Sequence, residues 1–138
     1  MYCWRVISSI LSRISALVLL LGGVALLFAS DAVLPALVPG FPPDAAWLGQ
    51  LLAAAWLGIA ALNWLQRSAL LGGIYGRPTV FANVVLYFIS ALSLARALLR
   101  NGAPAALWAV LVLLAILAAT YTALMMRGPF DPLQRPAS

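Results

Sequence analysis

Four stretches of about twenty residues, apolar almost throughout, govern what this chain can become. An α-helix rises about 1.5 Å per residue, so about 20 residues cross the roughly 30 Å hydrocarbon core of a bilayer. Windows of that length run over 9–29, 45–65, 80–99 and 104–126. In lipid every backbone N–H and C=O must be satisfied within its own segment, and the strict alternation of a barrel strand is absent. The expectation is an all-α fold, an integral membrane bundle of four helices with short loops, forming one transmembrane domain over residues 1–138.

Composition agrees. Of the 138 residues, 65% are hydrophobic and 8% are charged. A water-soluble domain carries about a quarter charged residues. So few charges cannot coat a globule in water, and the lipid bilayer becomes the first partner. The net charge of +5 does not signal nucleic acid, because the arginines stand singly between apolar stretches and form no basic face.

Punctuation falls between the windows. The segment 31–44 contains Pro35, Pro39, Gly40, Pro42 and Pro43, a density that predicts a loop rather than helix. This loop is apolar through Val33, Leu34, Leu37, Val38 and Phe41, which suits a segment lying along the interface. Gly72, Gly73, Gly76 and Pro78 separate the middle windows, and Gly102 with Pro104 separates the last two. The tail 127–138 reads as irregular. The N-terminal window resembles a secretory signal in its charge and apolar run, but it extends backwards to spanning length and reads as an uncleaved first span.

Arginine placement sets the orientation. With the N-terminus inside, Arg5, Arg13, Arg67, Arg77, Arg127 and Arg135 lie on the inner side, against Arg96 and Arg100 outside. This bias predicts both termini in the cytoplasm. Arginine without lysine, with abundant Ala, Leu and Gly, suggests a GC-rich bacterial host and hence the inner membrane. Trp4, Trp47, Trp64 and Trp108 fall near the window edges, where an amphipathic ring prefers to sit; Trp56 falls mid-span.

Helices in lipid associate through small residues and a few hydrogen bonds. Ser8, Ser12, Ser15 and Gly22 share one face of the first window, and Ala115, Ala119 and Thr122 share one face of the fourth. Both read as packing faces. The densest polar set lies at the inner ends of the middle windows. Asn63 and Arg67 share a stripe, as do Asn83, Tyr87 and Ser90, while Tyr75 and Arg77 sit in the connecting loop. The plain reading is that the asparagines bridge helices and the arginines anchor in headgroups. The functional reading is a cytoplasmic-side ligand pocket formed by Asn63, Arg67, Tyr75, Arg77, Asn83 and Tyr87, in which arginine meets a phosphate or carboxylate.

Absences narrow the chemistry. The chain has no histidine, one cysteine (Cys3) and only three acids, Asp31, Asp44 and Asp131, all outside the windows. That leaves no usual haem or zinc ligands, no Ser-His triad and no intramembrane carboxylate for a proton relay. No metal or cofactor is expected, and an enzyme is disfavoured. The expected function is association in the membrane, as an accessory or assembly subunit or a homo-oligomer. The alternative is a small transporter or a binder of anionic headgroups.

Overall fold

The computed structural model describes residues 2–68, 76–101 and 104–126. They form four helices: α1 (Tyr2–Leu37), α2 (Ala46–Leu65), α3 (Arg77–Asn101) and α4 (Ala105–Met126). The only other regular element among the described residues is a short 3-10 turn at Pro43–Ala45. Each of the four helices is long and apolar enough to cross a membrane.

The first helix is the departure from expectation. At about 1.5 Å per residue, its 36 residues would reach about 54 Å if straight, far more than a bilayer core. It is not continuous in direction: Ala29, where the first window was expected to end, has non-helical angles (φ −132, ψ 28). Beyond that break the chain resumes helix and carries Pro35 within it. The expected loop from residue 31 therefore begins only after Leu37. Proline removes a single helical hydrogen bond here, the one to the carbonyl of exposed Asp31. Packing offsets that loss. A Cβ added at buried Gly49 would lie 2.7 Å from Leu34 Cδ1 and 2.9 Å from Ser30 Cβ, so the second piece of α1 rests directly on the first turn of α2. The remaining prolines, Pro39, Pro42 and Pro43, do fall in the connection, which turns at Gly40 with φ +80, a conformation that favours glycine.

The helices pack as two antiparallel neighbours in sequence, α1 against α2 and α3 against α4; the pairs meet more lightly, through α2 with α3 and α1 with α4. Small residues set the α1–α2 approach. A Cβ at Gly22 would come within 2.5 Å of the Trp56 ring, and one at Gly23 within 2.9 Å of Leu57 and 3.3 Å of the Ala53 carbonyl. Absent side chains thus let the helices close in, as lipid-embedded helices require. The shared core gathers Leu19, Ala60, Val80, Tyr87, Leu114, Leu117, Ala118 and Tyr121.

The outer surface is the reverse of a soluble protein's. Leu21, Phe28, Leu51, Ile89, Leu92 and Ile116 are all exposed. A continuous apolar exterior of this kind is suited to lipid. The inward residues include Ser8, Ser12, Ser15, Asn63, Thr79 and Asn83, all at or below 2% exposure.

Candidate functional site: a buried polar cluster

The inward polar residues of three helices converge on one another. Asn63 on α2 and Asn83 on α3 form a reciprocal amide pair: Asn63 Nδ2 donates to Asn83 Oδ1 at 2.8 Å, and Asn83 Nδ2 donates to Asn63 Oδ1 at 2.7 Å. The second N–H of Asn83 goes to the Thr79 carbonyl, 2.8 Å away and one turn earlier on the same helix. The second N–H of Asn63 reaches Ser15 Oγ on α1 at 3.3 Å. All four amide hydrogens are therefore used inside the bundle.

Ser15 is the hub. Its hydroxyl lies 3.3 Å from Asn83 Oδ1 and is hydrogen-bonded to the Tyr87 hydroxyl. With Tyr87 donating to Ser15, the Ser15 proton is free for Asn83 Oδ1, and each hydroxyl has a consistent role. Tyr87 is held on its other side by the Tyr121 ring of α4, with centroids 5.8 Å apart and planes inclined by 29°. Two hydroxyls next to this network, Ser12 Oγ and Tyr121 OH, are buried with no partner among the described residues.

The arginines go elsewhere. Arg67 turns back on its own helix: Nη1 donates to the Trp64 carbonyl at 2.7 Å, and the guanidinium lies 4.7 Å from the centre of the Trp64 ring. It closes the C-terminus of α2, where unsatisfied carbonyls and the helix dipole favour a cation, and it stacks on an aromatic face. Arg77, at the start of α3, is exposed, and so is Arg96 near its far end, away from the asparagines in sequence by more than three turns. The expected pocket is thus divided. Asn63, Asn83 and Tyr87 come together in the interior, Arg67 and Arg77 stay at the periphery, and Tyr75 lies outside the described residues.

Three contributors were not assigned to this cluster from the sequence. Ser15 was legible only as part of a packing face. Thr79 contributes a backbone carbonyl, which no side-chain pattern announces. Tyr121 sits in the most apolar of the helices with nothing but its own polarity to mark it. The face Ala115, Ala119 and Thr122 was read as a packing face. Within the bundle Ala115 and Ala119 are exposed, and Leu114, Leu117, Ala118 and Tyr121 take the inner side. On an apolar helix the bulkier residues fill the core better than alanine, and periodicity alone does not choose between the faces.

Just beyond Tyr87, away from the asparagines, the four helices leave a cavity of about 190 Å³. Trp56 forms one wall across from Gly22, and Ser90, Val110, Leu113 and Leu114 form others. Trp56 is thereby placed inside the bundle, packed against its core. Among the described residues no group of three His, Cys, Asp or Glu side chains converges, so the polar interior consists of neutral amides and hydroxyls.

Fold and interior together define a multi-pass helical membrane protein with an uncharged polar clasp at its centre. Compared with known proteins, the chain matches no family model, no curated protein and no solved structure.

Proposed function

We propose that this protein is a non-catalytic membrane component that works by helix–helix association, as an accessory or assembly subunit or as a small homo-oligomer. The observation that carries this reading is the outward side of α2. Ala54, Gly58 and Ala61 lie on one exposed stripe, and a Cβ at Gly58 would meet nothing within 4 Å. On the inward side, by contrast, Gly22, Gly23 and Gly49 all lie against neighbouring atoms. A small-residue stripe facing outward lets another helix backbone approach closely. The outward Ala115, Ala119 and Ala123 of α4 offer a second such stripe. The closed bonding of Asn63, Asn83 and Ser15 supports the same reading, since those groups already serve as fasteners between helices.

The headgroup-binding alternative draws no support from the arginines, which do not join the asparagines. Arg67 and Arg77 suit a simpler role at the membrane surface, holding the inner end of the bundle among anionic headgroups. The positive-inside bias supports cytoplasmic termini, and arginine without lysine, with abundant Ala, Leu and Gly, supports a bacterial inner membrane.

A photo-crosslinking amino acid placed at Ala54 or Ala61 tests the association in intact membranes. The expected result is one discrete protein adduct from either position, with a second copy or with another polypeptide, and none from exposed Leu92 on α3. Lipid adducts alone from all three positions would remove the proposal.

A further inference from the structure

Two hydroxyls beside the polar clasp stand without a partner. Ser12 Oγ on α1 and Tyr121 OH on α4 make no hydrogen bond among the described residues, and both residues are at 0% exposure. We infer that a bound water takes both hydroxyls as partners and so ties α4 to the clasp. Valence explains why the clasp itself cannot serve them. A serine hydroxyl has one proton and two lone pairs. The Ser15 proton goes to Asn83 Oδ1, and its lone pairs accept from Tyr87 and from Asn63 Nδ2. The Tyr121 hydroxyl approaches Ser15 yet forms no hydrogen bond with it, and no lone pair is left there to receive it. Ser12 lies one turn earlier on the same face of α1. A serine within a helix can bond the carbonyl four residues back, here that of Ser8, but Ser12 makes no such bond.

The chemistry of the site singles out water. A buried hydroxyl without a partner is costly, and an interior surrounded by lipid has no solvent to relieve it. Ser8, Ser12, Ser15, Tyr87 and Tyr121 are all at or below 2% exposure, which leaves no access for a larger molecule. The two hydroxyls are neutral, so they call for a partner that both donates and accepts rather than for an ion. A buried water has two to four polar partners; this one receives the Tyr121 proton and donates to Ser12. The link is one that α4 otherwise lacks. Among the described residues its side-chain hydrogen bond runs from Thr120 to the Ile116 carbonyl of its own helix. Since α1 and α4 meet only lightly, a water-mediated bond, nearly as good as a direct one, fastens a sparse contact.

The test uses the full, unaltered chain in deuterated lipid bilayers. Solid-state NMR follows magnetisation passed from water to individual side chains. Transfer is expected at both Ser12 and Tyr121, and far more weakly at Leu19 and Leu114, which are buried two turns away along the same helices. No transfer to Ser12 and Tyr121, or transfer to one of them alone, overturns the inference. Equal transfer to all four residues means general hydration and overturns it too. Stability gives a second reading through its sign. Ser12→Ala and Tyr121→Phe each remove one contact of the water, and each is expected to lower the melting temperature, with the double variant losing less than the sum. Higher melting temperatures in both single variants mean that each merely removed an unpaired hydroxyl, which overturns the inference. Strictly additive losses overturn it as well, because no water is then shared.

Discussion

Asn63 and Asn83 show at the residue scale why a polar group in a membrane helix is not in itself a binding site. Each amide donates twice within the bundle, leaving no hydrogen for a ligand. Removing one partner strands the other in an apolar interior, so Asn63→Leu or Asn83→Leu alone is expected to cost about 1–2 kcal/mol. The double replacement is expected to cost less than the sum of the two, because nothing is then left unpaired. Unfolding of the four proteins in mixed micelles, read as a double-mutant cycle, measures this; strictly additive losses would show that the amides act independently. The stripes containing Asn63, Asn83 and Tyr87 were visible in the sequence because polar residues at helical spacing stand out in an apolar span. The place of Arg67 was not, since its long side chain reaches back to its own helix end and spacing does not report that choice.

Glycine decides how the elements approach. Gly22, Gly23 and Gly49 hold α1 against α2, while Gly58 on the far side of α2 touches nothing. Substitution should separate the two sets. Gly23→Leu would drive a side chain into Leu57 and the Ala53 carbonyl, and is expected to destabilise the bundle by about 1–3 kcal/mol. Gly58→Leu is expected to leave the melting temperature of the dispersed monomer essentially unchanged, since a leucine there has room. Comparable thermal losses in both variants would contradict the assignment of their faces. Helix existence was legible throughout, because twenty apolar residues admit few alternatives in lipid. The course of α1 past Ala29 was not: Pro35 favours a stop locally, and only the contacts of Leu34 and Ser30 at Gly49 outweigh that tendency.

For the whole molecule, most of the described residues lie in the four span-length helices, so the partner proposed above would be met chiefly through them. With the N-terminus inside, Asn63, Asn83, Ser15 and Tyr121 lie in the inner half and the cavity lies outward of them. Reporter domains fused to either terminus are expected to be active only as cytoplasmic fusions; an externally active fusion at either end would overturn the positive-inside orientation. Span number was readable from hydropathy. The outward faces of α2 and α4 were not, because an alanine-rich helix has small residues on every side and only packing reveals which side is left free.

Native mass spectrometry of the protein extracted gently from its own membrane bears most directly on association. A stoichiometric complex, with a second copy or a second polypeptide, is expected for the unaltered chain and is expected to dissociate in Gly58→Leu. A chain that stays strictly monomeric at native expression levels, or a complex that Gly58→Leu leaves intact, would contradict association through the open face of α2.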